Sequence, residues 1–296
     1  VAGGVFGVDV KMLESDHAGF SKIADYLRRE SGINLTLSAK NQTLLASRLS
    51  KIMPGLGMQT YAELHLALLS GRRDIRDIFI SAITTNTTHF FRERQHFDIL
   101  RKLLAELQIK PEKKKTRELR VWCAACSSGE EAYSLAMTIR SVIQPADNWT
   151  IKILATDIDT EIMKKAARGV YPLESIDSVP ENMRSAYFER GRGDSSDFVR
   201  VRHSLRELIT FAPFNLMSPS YPFQFKFDFI FCRNVMIYFD KPEIQQTIRK
   251  METCLRPGGH LFLGHSETIV GATPGLKSCA AAVYERISTL RKGEAA

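Results

Sequence analysis

Apolar residues recur in two rhythms along the 296-residue chain, and the change falls after its first third. Up to about residue 83 they return at helical spacing. Phe20, Ile23, Ala24 and Leu27 follow Ser15 and Asp16 and stop at Gly32; Leu45, Leu49 and Ile52 follow Ser38 and stop at Pro54 and Gly55. Thr60 and Glu63 stand at capping-box spacing and open a third helix that Gly71 closes. Ile75, Ile78, Phe79, Ala82 and Ile83 make a fourth, so the pattern predicts a small all-helical unit of about four helices. A polar break then runs through Thr84, Asn86, Thr88 and Arg92. Phe97, Leu100, Leu103, Leu104 and Leu107 resume a helix, and residues 110–115 form a basic connector.

From Leu119 short apolar runs alternate with helical patterns, which predicts an α/β unit with a parallel sheet covered on both faces. Strands are expected over 119–124, 151–156, 208–213, 227–232, 259–264 and 280–286. Helices fit 129–143, 160–168 and 241–254, the last opened by a second capping box, Asp240 with Glu243. Residues 169–208 interrupt the alternation with a short helix near 180–188. Gly191, Gly193 and the alternating Phe198, Val199, Arg200, Val201 and Arg202 then suggest a small β hairpin.

The chemistry gathers at the ends of the expected strands. Val121 and Trp122 run into Cys123, Ala124, Ala125, Cys126, Ser127, Ser128 and Gly129, side chains small enough for a ligand to approach backbone. One βα unit later a strand ends at Asp157. This is the layout of a nucleotide-type pocket at the carboxyl edge of a doubly wound sheet, where the second-strand acid accepts from a ribose. An N-cap for the next helix is the alternative reading of Asp157, a role Asp159 or Thr160 can also fill. No full Gly-x-Gly-x-x-Gly is present, so a cofactor without a pyrophosphate fits better, and S-adenosylmethionine is one. Asn215 and Leu216 follow the third strand, and Arg233, Asn234 and Tyr238 the fourth. Asn215 suits an adenine edge with Leu216 over its face, although a turn Asn beside a core Leu is the commoner meaning.

Bulk properties narrow the classes. Five scattered cysteines argue against a disulfide framework and for a reducing compartment, and Cys123 with Cys126 reads as a packing pair. No run approaches a membrane span, and the opening residues lack a secretory signal pattern, so a cytoplasmic location is expected. The seven histidines never reach ligand spacing along the chain, and no metal is expected. Gly264, His265, Ser266, Glu267 and Thr268 depart from a nucleophile elbow at the fifth position, and no P-loop occurs. The net charge is +8, and residues 1–120 hold 20 Lys and Arg against 13 Asp and Glu, so nearly all the excess precedes the α/β unit. A basic accessory unit implies an acidic partner, either nucleic acid or an acidic protein surface. A nucleic-acid methyltransferase is therefore the alternative reading, but no aromatics interleave with the basic runs and the base-flipping Asn-Pro-Pro-aromatic motif is missing.

Five stretches in series resemble the CheR-type chemotaxis receptor methyltransferases. They begin at Thr84, Ala124, Ala155, Phe231 and Leu255, and keep the family's order and spacing from about residue 15 to 286. The resemblance implies a Rossmann-like S-adenosylmethionine-dependent methyltransferase sheet with a small all-helical N-terminal domain and an inserted β subdomain. Its division would be a substrate-recognition domain over 11–90, a linker helix and basic connector over 91–118, and a methyltransferase domain over 119–290. The β subdomain would be inserted at about 190–207. It also implies methyl transfer to glutamate side chains of chemoreceptor cytoplasmic helical bundles, giving methyl esters and S-adenosylhomocysteine. By the same resemblance Asn86, Thr88, Arg92, Glu131, Asp157, Asn215, Leu216, Arg233 and Asn234 would contact the cofactor. Arg92 and Tyr238 would lie beside the transferring methyl. Some relatives dock a receptor carboxyl-terminal peptide on the β subdomain, at a loop that Gly191 and Gly193 resemble.

Overall fold

The computed structural model describes residues 8–109, 117–269 and 273–287. The expected connector at 110–115 and the stretch after 287 lie outside them.

The amino-terminal helices are α1 (Val10–Ser15), α2 (His17–Ser31), α3 (Ala39–Leu49), α4 (Tyr61–Leu69) and α5 (Arg73–Ile83). The periodicity predicts about four; α1 is the addition, capped by Asp9 and anchored by buried Leu13, too short to show a period. Asp16 accepts from Gly19 N at 2.8 Å to start α2, and Gly32 ends it at φ 76°, a left-handed position suited to glycine. A Cβ there would meet Met217 Sδ at 2.6 Å, so the same residue permits close packing on the α/β unit. Thr60 and Glu63 form the expected capping box of α4. Phe20, Ile23, Leu27, Leu45, Leu49, Tyr61, Leu64 and Phe79 make one apolar core among these helices.

After a stretch without regular structure comes α6 (Arg94–Ile109). Then follow β1 (Glu118–Ala124), α7 (Glu130–Val142), β2 (Thr150–Asp157), α8 (Thr160–Arg168), β3 (Val170–Pro172), α9 (Glu181–Tyr187) and β4 (Phe188–Arg190). The remainder is β5 (Phe198–Val201), α10 (His203–Arg206), β6 (Ile209–Pro213), β7 (Phe227–Cys232), α11 (Lys241–Cys254), β8 (Leu255–Leu263), β9 (Leu276–Ala280) and β10 (Val283–Arg286).

Seven strands form one sheet in the order β6-β2-β1-β7-β8-β10-β9. The first five are mutually parallel, and β10 runs antiparallel to both its neighbours. The chain reverses its winding at β1, so the switch point lies between β1 and β7, where a crevice opens beyond the strand ends. Alternation along β1 serves both faces: Val121 and Cys123 join the core under α7, while Trp122 and Ala124 join the core under α11. Trp122 is fully buried among Phe214, Tyr221, Phe223 and Phe227, and its indole N–H donates to Thr156 Oγ1 at 2.9 Å.

Four expectations change. The strand expected over 280–286 is a hairpin, because the chain reverses at Ala281 and Ala282, the latter at φ 54°. Strand β8 begins at Leu255 rather than 259, with a register irregularity that Gly258 at φ 74° accommodates. The inserted hairpin is a three-stranded sheet, β3-β5-β4, since Val170, Tyr171 and Pro172 also pair with β5. Asp240 does not cap α11 with its side chain; it accepts instead from Asn34 Nδ2 at 2.8 Å and pairs with Arg28 at 2.6 Å. No helix among the described residues is long and apolar enough to cross a membrane.

Candidate active site

The crevice beyond the strand ends encloses about 890 Å³ of non-atom space, open mouth included. Ser31 and Ile33 of the helical unit line one side of it. The polar stretch at 84–92, the β1 loop, the end of β2, the β6 loop and the β7 loop supply the rest. Every nominated residue lies on this wall: Asn86, Thr88, Arg92, Glu131, Asp157, Asn215, Leu216, Arg233, Asn234 and Tyr238.

The β1 loop is built tightly. Ala125 and Ser127 take φ 58° and 50°, and Gly129 takes 97°. A Cβ on Gly129 would meet Ala166 Cβ at 2.9 Å and Tyr171 Oη at 3.0 Å. Asp157 ties this loop to β2: its Oδ2 accepts from Ser127 N at 2.8 Å and its Oδ1 from Asp159 N at 3.0 Å. Burial pushes its carboxyl up, and those backbone donors oppose the rise. The N-cap of α8 is Asp159, which accepts from Glu161 N and Ile162 N, so Asp157 is released from that alternative. Asp159 also accepts from Asn86 Nδ2 at 2.9 Å and Thr84 Oγ1 at 3.0 Å, holding the 84–92 stretch over the sheet edge.

Across the cavity Arg233 is buried in a network. Its guanidinium donates to Glu131 Oε2 at 2.7 Å, Glu93 Oε2 at 2.8 Å and the Arg92 carbonyl at 2.7 Å. Burial alone would raise the Glu93 carboxyl, but Arg233 and Asn234 overcome it and hold the value down to about 2. Glu131 lies deeper, so burial wins there and raises its carboxyl against the pull of Arg233. Asn234 sits at φ 58° and donates from Nδ2 to Glu93 Oε1 at 3.2 Å. Tyr238, on a short 3-10 turn, is half-buried, and its carbonyl accepts from Asn34 N at 2.9 Å. Arg92 donates to the Thr87 carbonyl at 3.1 Å.

Asn215 has the turn role as well. Its Oδ1 accepts from Met217 N at 2.8 Å and its Nδ2 donates to the Glu30 carbonyl at 2.6 Å. One N–H and one lone pair remain for a ligand. Leu216 is buried beside the Trp122 cluster. Cys123 and Cys126 are buried thiols, pushed up by that burial, as a packing pair should be.

Two acids were given no role from sequence. Glu93 joins Arg233 and Asn234. Glu267 accepts from Gly264 N at 2.7 Å and from Asn234 N and Met236 N at 2.8 Å each, clamping the β7 loop to the β8 loop. Ser266 and His265, the centre of the elbow-like motif, are exposed. The histidines that stand apart along the chain meet in one place: His96, His265 and Glu93 bring ligand atoms within 4.8 Å of one another.

The residues present suit S-adenosylmethionine. The Asp157 carboxylate is an acceptor of the kind sugar hydroxyls need, apolar Ile158, Phe214, Leu216 and Val235 are surfaces a base can pack on, and Glu131 and Arg92 give charges of both signs. The sheet order and this pocket define a Rossmann-like methyltransferase that uses S-adenosylmethionine. Residues 86–284 match the CheR methyltransferase, SAM binding domain, and residues 18–84 match the CheR methyltransferase, all-alpha domain. The chain belongs to the CheR methyltransferase family. Chemotaxis protein methyltransferase 2 of Pseudomonas aeruginosa is 39% identical over 265 residues, 90% of this chain and 91% of the relative. The chemotaxis protein methyltransferases of Borreliella burgdorferi and Escherichia coli are 37% and 38% identical; the matches cover 85% and 84% of this chain and 88% and 84% of those relatives. The nucleic-acid alternative is not favoured.

Proposed function

We propose that this enzyme methylates glutamate side chains in the cytoplasmic helical bundle of chemoreceptors, forming methyl esters for adaptation of the signalling state. The observation that carries the reading is the gathering of all ten nominated residues, from five separate stretches, around one cavity. The relatives' names, chemotaxis protein methyltransferases, support the receptor as partner.

The bound donor supplies an electrophilic methyl group on a sulfonium. A substrate glutamate, with reference pKa near 4.3, is already ionised at neutral pH, so the chain needs no base to prepare it. The work left to the protein is alignment and exclusion of water, which can supply several kcal/mol when reacting atoms are held in line. In this reading Asp157 accepts from the ribose, Glu131 receives the amino end of the methionine moiety, and Arg92 with Tyr238 orients the acceptor carboxylate. Asn86, Thr88, Asn215, Leu216, Arg233 and Asn234 shape the cofactor's walls. The helices over 11–90 would recognise the substrate, 91–118 would link, and 119–290 would carry the chemistry, in the cytoplasm. The inserted β sheet would receive a receptor carboxyl-terminal peptide, a reading supported by the open groove among Gly191, Phe198 and Arg200.

The test uses methyl-labelled S-adenosylmethionine with membranes carrying candidate receptors. Label that leaves the protein as methanol in base supports the ester. Base-stable label, or label on nucleic acid, would overturn it.

A further inference from the structure

Glu93, His96 and His265 arrive from two places: Glu93 and His96, three residues apart, from the start of α6, and His265 from the loop after β8. His96 Nδ1 lies 3.5 Å from Glu93 Oε2, and His265 Nε2 lies 3.9 Å from that same oxygen. The two imidazole centroids are 4.8 Å apart.

His96 carries the argument. Its side chain is fully buried, and its Nε2–H donates to the Ala281 carbonyl at 3.4 Å. The other ring nitrogen, Nδ1, has no hydrogen-bond partner among the described residues and lies on the side of the Glu93 carboxylate. A buried lone pair facing an anionic oxygen is unfavourable, and a cation between them relieves it. Orientation of an imidazole by a carbonyl on its far nitrogen is the usual support of a metal-bound histidine.

Charge permits an ion here. Arg233 lies 2.8 Å from Glu93, but it is shared with Glu131 at 2.7 Å, so two carboxylates face one guanidinium. The donor set decides the class of ion: two imidazoles and one carboxylate suit zinc, whereas magnesium and calcium prefer oxygen. Tetrahedral zinc with bonds of about 2.0–2.1 Å separates its ligand atoms by about 3.3 Å. The His96 to Glu93 separation of 3.5 Å is near that figure, and the exposed His265 ring closes the other two, which reach up to 4.8 Å, by moving roughly 1–2 Å.

We propose that Glu93, His96 and His265 form a binding site for a zinc-class divalent cation beside the pocket, with a fourth position open to water. The ion shares Glu93 with Arg233 and therefore sits one side chain from the cavity wall.

The test is equilibrium dialysis of the full chain, first stripped by chelator, against zinc chloride. A cobalt(II) titration read by visible absorption reports coordination geometry. The wild type should take up one ion per chain and give the intense visible band of four-coordinate cobalt. His265→Ala and His265→Gln, which alter an exposed side chain, should each weaken uptake by at least about tenfold. His203→Ala removes an exposed histidine 3.7 Å from Glu207 and should leave uptake unchanged. Absent uptake, equal uptake by wild type and both His265 variants, or loss of uptake in His203→Ala would each overturn the assignment.

Discussion

At the scale of single residues, Asp157 shows what a strand-end acid can and cannot reveal beforehand. Its backbone bonds from Ser127 and Asp159 do not use up the acceptor capacity of a carboxylate, and the residue lines the cavity. A bond to a charged acceptor contributes about 1.5–3 kcal/mol, so Asp157→Ala should weaken S-adenosylhomocysteine binding by about tenfold to a hundredfold in calorimetry. The sign of the pH dependence follows from burial. A raised carboxyl becomes protonated sooner as pH falls, so product affinity should decline on the acid side above the ordinary aspartate range near 3.9. Asp157→Asn should flatten that limb; a limb that persists would assign it to Glu131, whose carboxyl burial also raises. Tyr238→Phe should lower turnover by at least about tenfold with product affinity nearly kept, since alignment of the acceptor acts on the chemical step, whereas Arg92→Ala, which also removes a cofactor contact, should lower turnover and weaken product binding together. Retained turnover in both would remove them from the catalytic set. The residues that could be nominated from sequence sit at strand ends within recognisable runs. Glu93 and Glu267 escaped because Arg233 and Asn234 lie 140 and 33 positions away from them, and nothing in local pattern pairs a carboxylate with a guanidinium or a backbone N–H at such distance.

Elements were legible where local chemistry sets their limits. The Thr60 and Glu63 box is visible in four residues and forms as read, and Thr60→Ala should cost about 1 kcal/mol in urea denaturation without altering cofactor affinity. Asp240 has the same spacing with Glu243 and forms no cap, because Arg28 and Asn34 compete for its carboxylate from another part of the chain. The β9–β10 turn was hidden for a different reason: alanines occupy it, and the positive φ at Ala282 carries no Gly or Asn signal. The loops after β7 and β8 were visible as motifs, but not the clamp between them. Glu267→Ala would leave three backbone donors without their acceptor and should destabilise the protein by about 3–5 kcal/mol. It should also loosen Asn234, so product binding should weaken more than in a variant of equal stability made in the α1–α5 core. Equal weakening in both would deny the clamp any part in shaping the pocket.

For the whole molecule, alternation of strands and helices predicted a doubly wound sheet, yet the order β6-β2-β1-β7-β8-β10-β9 needed pairings between distant segments that no local signal encodes. Charge is the property that spans both units. Within the excess of cations before residue 121, Arg72, Arg73, Arg76, Lys40, Arg48 and Lys51 are the candidates for steering an acidic receptor bundle. The structure divides that set. Arg76 is held by Glu30 at 2.6 Å and Asp77 at 3.1 Å, Arg48 donates to the Ile83 and Thr84 carbonyls, and Arg72 pairs with Asp74 at 2.6 Å. Lys40, Lys51 and Arg73 remain exposed. If these three attract the glutamate-rich bundle, their contribution is long-range and screened within about 8–10 Å at ordinary salt. Raising salt from about 0.05 to 0.2 M should then lower kcat/KM for receptor several-fold, while the affinity for S-adenosylhomocysteine, held inside the cavity, should change by less than about twofold. Lys40→Glu combined with Arg73→Glu should reproduce the loss at low salt, acting on KM with kcat retained, because neither residue lines the pocket. Parallel salt sensitivity of receptor and product binding, or a reversed-charge variant with unchanged KM, would place the receptor contact away from this face.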